Sequence, residues 1–101
     1  MPRRYGEAML RILESADESN LGQKLGRACL AANIPMSYAA ELLAVTRLTV
    51  EKWFKGTSQI RKNTRPRVEA FITLIETDIE NGRLPAQSIS DAKAYISGHI
   101  R

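Results

Sequence analysis

The sequence predicts an all-α fold, a compact bundle of about five to six short helices containing a helix-turn-helix. Three observations lead to it. Met36 to Gly56, MSYAAELLAVTRLTVEKWFKG, spaces its apolar residues for two short helices joined by a tight turn. Val68, Phe71, Ile72, Ile75 and Ile79 recur at the interval of one buried helical stripe. Residues suited to helix N-caps precede the periodic stretches: Asn20, Thr46, and Ser88 or Ser90.

Pro2 to Glu18 reads as a first helix, with Tyr5, Ala8, Met9, Ile12, Leu13 and Ala16 on one side and Arg4, Glu7, Arg11, Glu14 and Glu18 on the other. It is expected to cover the domain or to serve as a dimer contact, with Arg3 and Arg4 within reach of phosphate. Ser19-Asn20 breaks that pattern. Asn20 with Gln23 forms a capping box for a second helix to about Asn33, lined by Leu21, Leu25, Ala28, Cys29 and Ala32. Cys29 falls on that stripe, which predicts a buried, inert thiol. Ile34 and Pro35 end the helix and Ser37 is placed to cap the next.

The third helix has Ala39, Ala40, Leu42 and Leu43 on its apolar face, and Ala44 and Val45 fill the turn. Thr46 caps a fourth helix whose Val50, Trp53 and Phe54 form the buried stripe. Thr57 to Thr64 is a polar loop, entered through Gly56 as a positive-φ C-cap. Arg65-Pro66 opens the fifth helix, which Asn81-Gly82 stops; its stripe is expected to pack on Val50 and Trp53. Glu69, Glu76, Asp78 and Glu80 lie off that stripe and are expected to be solvated. Arg83 to Ser88 reads as a linker. A last short helix then places Ile89, Ala92, Ile96 and Ile100 on one side, beside Tyr95. The implied organisation is an accessory helix over 1–18, a central unit over 19–82 and a linker with a short helix over 83–101.

Charge singles out one region. The chain has 101 residues and a formal charge of +4, and seven of its fifteen basic residues fall between Thr46 and Arg67: Arg47, Lys52, Lys55, Arg61, Lys62, Arg65 and Arg67. Glu51 is the only acid there. The remainder is slightly acidic, so the preference for a polyanion is local to the central motif. One cysteine allows no internal disulfide framework, and no Cys/His cluster has zinc-site spacing. With neither a signal peptide nor an apolar run of membrane-spanning length, the expected compartment is the cytoplasm. His99 has no nucleophile or carboxylate constellation around it, so no enzymatic role is expected.

In Ala40, the small turn residue Ala44, Val50 and Trp53, followed by Phe54, Lys55 and Gly56, the sequence resembles the lambda-repressor-like, or Xre/Cro, family of DNA-binding domains. The resemblance covers about Leu21 to Ile79. Ala44 stands where most such motifs have Gly, a departure that costs about 1 kcal/mol if the left-handed turn is kept.

The resemblance implies a sequence-specific, double-stranded-DNA-binding transcription regulator of repressor type, with Arg47–Lys55 in the major groove. Thr46, Arg47, Leu48, Glu51 and Lys52 would read base edges or touch nearby phosphates. Arg47 suits a bidentate bond to guanine and Leu48 a thymine methyl. Ser37, Lys55, Arg61, Lys62 and Arg65 would hold phosphates, and the role of Thr49 stays open. A homodimer is expected, joined outside the motif through Met9, Ile12 and Leu13 or, preferred, through Tyr95, Ile96 and Ile100. No cofactor, small-molecule ligand or membrane partner is expected. The alternative is a small helical interaction protein, a phage-like inhibitor or assembly factor, that engages another protein.

Overall fold

The capping residues open the helices they precede. Asn20, Thr46 and Ser88 each accept the backbone N–H three residues on, from Gln23, Thr49 and Asp91, at 3.1 Å in every case. The computed structural model of the chain describes residues 5–16 and 19–99. Within them the fold is all-helical: α1 Glu7–Glu14, α2 Leu21–Ala32, α3 Met36–Leu43, α4 Arg47–Lys55, α5 Arg65–Glu80 and α6 Ile89–Ser97. Arg3, Arg4, Glu18 and Ile100 lie outside the described residues, as do Pro2 and the rest of the extreme N-terminus.

α2 is the hub. α1, α4 and α5 all pack on it, and α3 lies between α4 and α6. Two glycines make the α2–α4 contact possible. A Cβ on Gly22 would stand 2.6 Å from the Trp53 carbonyl oxygen, and one on Gly26 would stand 2.6 Å from Leu13 Cδ2 and 3.0 Å from Phe54 Cγ. Leu25 and Cys29 bury the same side of α2, and Val50, Trp53 and Phe54 answer from α4. Burial pushes the Cys29 thiol well above its ordinary pKa, which keeps it protonated and unreactive.

Several expectations change. α1 is shorter than the 2–18 span: Gly6 is its extended N-cap and Ser15 closes it. Tyr5 therefore precedes the helix. It stacks on Phe54, with ring centroids 6.1 Å apart, and its hydroxyl donates to the Ile34 carbonyl at 2.6 Å. Ser37 is not a cap; Pro35 holds that position and Ser37 sits exposed within the first turn of α3. The stripe of α5 rests mainly on α2 instead of α4, because the glycine face of α2 already occupies the inner side of α4.

Asp78 is buried, not solvated. Its carboxylate accepts from the Tyr95 hydroxyl at 2.7 Å, and its carbonyl takes the N–H of Arg83 at 2.8 Å and of Leu84 at 3.1 Å. Burial and the Asp78 carboxylate raise the Tyr95 phenol pKa. Residues 83–88 form no free linker either. Leu84 and Ala86 are buried, the Ala86 N–H bonds to the Ala32 carbonyl at 2.9 Å, and Asn33 Nδ2 donates to the Ala86 carbonyl at 2.7 Å.

α6 consequently folds back with Ala92 and Ile96 buried in the same core that takes Met9 and Leu13 from α1. The apolar residues expected to join two copies are thus largely spent within one chain. Ile60, in the polar loop between α4 and α5, is buried in the core as well.

At the α3–α4 junction Ala44 does take the left-handed conformation, with φ 58° and ψ 42°. The strain is local and exposed, so Ala44→Gly should raise stability by about 0.5 to 1 kcal/mol, the left-handed penalty outweighing the extra entropy of glycine in the unfolded chain. A urea midpoint at or below the parent value would contradict this. Gly22→Ala should do the opposite. Its gain in helix propensity, about 1 kcal/mol, is opposed by overpacking against backbone of ~1 to 3 kcal/mol, for a net loss of about 1 to 2 kcal/mol in the same assay. An unaltered midpoint would mean that α4 gives way freely.

Candidate functional site

α4 has one face committed and one face open. Val50, Trp53 and Phe54 anchor it at i, i+3 and i+4, so rotation about its axis is blocked and Arg47, Leu48, Glu51, Lys52 and Lys55 are carried on the outer side. Both ends are closed by the chain itself. At the start, Thr46 Oγ1 takes the Thr49 N–H and lies 2.8 Å from the Thr49 hydroxyl, which makes Thr49 part of the cap. At the end, Gly56 adopts φ 77°, and the N–H groups of Gly56 and Thr57 cap the carbonyls of Trp53 and Lys52, both at 3.1 Å. The Thr57 hydroxyl adds a bond to Lys52 O at 3.3 Å.

The outer face is charged but not uniformly. Glu51 sits between two cations one turn away on either side: Oε1 is 3.9 Å from Arg47 Nη1 and Oε2 is 3.3 Å from Lys55 Nζ. Such exposed i, i+4 pairs are worth only about 0.3 to 0.5 kcal/mol each, so either cation can leave for a stronger anion at little cost. Beside them Leu48 is 59% exposed, and only Ile89 among the described residues is another large apolar side chain so open to solvent.

A cleft of about 450 Å³ borders α4; beside Val45 and Trp53 it is lined by Thr46, Thr49, Lys52, Ser58, Arg61 and Thr64. Lys52, expected at base edges, and Arg61, expected at phosphate, both line it. Arg61 is steadied there by a turn in which the N–H groups of Thr64 and Arg65 bond to its carbonyl at 2.9 and 3.0 Å. Arg65 turns elsewhere and lines a separate cleft of about 250 Å³ with Asn20, Gly22, Gln59 and Ile60. Lys62 and Ser37 are exposed and line neither cleft.

Arg67, counted with the basic stretch, has a structural role. Its guanidinium donates to the Leu43 carbonyl at 3.2 Å and closes the end of α3. Sequence reasoning did not place Ser58 and Thr64 at the site. Their loop has no periodicity, and only the fold brings both residues to the cleft beside α4. For Thr49 a signal existed, because a Thr three residues after a Thr N-cap can reach back to it.

The surface offers guanidinium, ammonium and hydroxyl donors, one carboxylate acceptor and one exposed leucine on a rigid helix. Among the described residues no group of His, Cys, Asp and Glu is gathered that could hold a metal ion, and no helix is long and apolar enough to cross a membrane. His99 makes an edge contact with the Tyr95 ring, with centroids 4.7 Å apart. Compared with known protein families, curated proteins and solved structures, the chain matches none.

Proposed function

We propose that this chain is a sequence-specific DNA-binding transcription regulator of repressor type, with α3 and α4 as a helix-turn-helix and α4 as the helix that enters the major groove. One observation carries the reading: α4 is locked by its buried face while its opposite face presents Arg47, Leu48, Glu51 and Lys52 in its first two turns. A major groove about 12 Å wide admits one helix, and it is read by side chains of these types. The Xre/Cro resemblance points to the same surface. In this reading Arg47 bonds to guanine and Leu48 packs on a thymine methyl. Lys55, Arg61, Lys62, Arg65 and the hydroxyls of the Lys52–Arg61 cleft hold the backbone, with Ser37 touching phosphate from α3.

A selection from random duplex DNA tests the class directly: one enriched motif is expected, and failure to enrich any sequence sinks the proposal in favour of a protein partner for the α4 face. On the selected site, Arg47→Ala should cost about 1 to 3 kcal/mol and relax the choice at one base pair. Arg61→Ala or Lys62→Ala should instead weaken all sequences alike and lower the salt slope by about one. Full discrimination retained by Arg47→Ala would reverse that division of roles.

The regulator is further proposed to act as a homodimer, because one helix reads few base pairs and tight specific binding needs a second. Its two half-sites would lie about 34 Å apart or a multiple of it. Since α1 and α6 are engaged in their own core, truncation near Gln87 is expected to unfold the chain instead of merely separating two subunits. Sedimentation of the intact chain with the selected duplex should give two copies per palindromic site; one copy per site at saturation would sink the dimer.

A further inference from the structure

We propose that Glu51 is a specificity-determining residue of the α4 surface, one that lowers the pull of this face towards non-specific phosphate and is itself satisfied only where a base edge offers an amino group. The inference rests on the DNA-binding reading above and adds a means of discrimination to it. Its basis is the bracketed carboxylate. Glu51 reaches Arg47 with one oxygen at 3.9 Å and Lys55 with the other at 3.3 Å, so both of its acceptor atoms are turned to the two cations that flank it on the outer face. Its side chain is also the least exposed of the three, 27% against 60% for Arg47 and 42% for Lys55.

Charge on this face is positive, and one carboxylate trims it. Arg47, Lys52 and Lys55 stand against one carboxylate, a net charge of +2 that becomes +3 if the carboxylate is neutralised. Non-specific binding depends almost wholly on cations replacing condensed counterions at phosphates. A carboxylate held between two of three cations opposes that in two ways: it cancels part of their charge, and it would itself be pressed towards phosphate when the helix docks.

In the major groove the balance differs. Cytosine N4 and adenine N6 present amine donors, and a carboxylate is the complementary acceptor; guanine O6 and N7 present acceptors for the arginine freed from it. Both partners of the Arg47–Glu51 pair are then satisfied on DNA of the right sequence. On other DNA Glu51 faces acceptors or phosphate and is left unpaired, which costs more than the weak surface pair was worth. An arginine or lysine alone on the same face binds any phosphate and carries no such penalty.

The test compares the parent chain, Glu51→Gln and Glu51→Ala on the selected duplex and on a random-sequence duplex, each across a salt series. Thermal unfolding is followed alongside; the side chain is on the surface, so folding should be retained. The expected result is a several-fold rise in affinity for the random duplex in both variants, a salt slope there steeper by about one, and a fall in the ratio of specific to random affinity. Glu51→Gln should in addition favour adenine at the position it faces, since an amide pairs with adenine N6 and N7.

Unchanged binding to both duplexes would overturn the inference and reduce Glu51 to a helix-surface ion pair. Weaker specific binding with unchanged random-duplex binding would also overturn it, making Glu51 a simple base contact. A parent chain that binds the selected and random duplexes equally would remove the DNA-recognition reading itself, before the variants are compared.

Discussion

The close approach of α2 and α4 at Gly22 and Gly26 sets the position of α4 and, with it, of α1 and α3, which pack on α4. Most helix contacts are made by side chains that can change rotamer, and this one is made by backbone. The Trp53 carbonyl lies where the Gly22 side chain would begin, and Phe54 with Leu13 fills the space above Gly26. Each glycine weakens α2 by roughly 0.5 to 1 kcal/mol relative to alanine, a cost offset by the apolar area that α4 buries through Val50, Trp53 and Phe54. Tyr5 closes the same junction from the N-terminal side by stacking on Phe54. The outer face of α4 is therefore fixed relative to the whole core.

The second constraint acts at the turn before α4. Ala44 holds the left-handed geometry without glycine, and the Val45 N–H returns to the Ala40 carbonyl at 3.0 Å to finish α3. Arg67 then reaches from α5 to the Leu43 carbonyl, a charge-assisted bond across the junction. This use of Arg67 shows why counting cations overstates a binding surface. Of the seven basic residues in the central stretch, Arg67 tethers α3, Arg47 and Lys55 share Glu51, and Arg65 faces a cleft beside the start of α2. Lys52 and Arg61 both line the cleft next to α4, and Lys62 is exposed and lines neither cleft.

Legibility follows the range of the interactions. The caps at Asn20, Thr46 and Ser88, the positive-φ Gly56, the turn at Ala44 and the stripe of α5 are readable because each depends on residues three or four apart. Long-range contacts are not. Asp78 reads as a solvated acid because its partner, Tyr95, stands seventeen positions away on α6. The stretch 83–88 reads as a linker because the bonds that tie Ala86 down go to Ala32 and Asn33, over fifty positions back. Ile60 reads as a loop residue because one isolated apolar side chain has no period. Proline at 35 holds the N-cap position instead of Ser37, its ψ of 150° giving the extended backbone of a cap while its fixed φ of −62° already suits the helix that follows.

The same distinction bears on how the α4 surface can recognise anything. Residues set by local rules, Thr46 and Thr49 at the cap and Arg47, Glu51 and Lys55 along one face, fix what the helix presents on its own. Arg61, Ser58 and Thr64 reach that surface only because Ile60 is drawn into the core and the following turn closes onto α5. Lys52 belongs to both groups, carried by the helix and lining the cleft. A ligand held by Lys52 and Arg61 together is thus registered against the core as well as against the helix. In the proposed reading, that would give the outer face of α4 a fixed depth of approach, the condition under which a one-turn difference such as that between Arg47 and Glu51 could distinguish one base edge from the next.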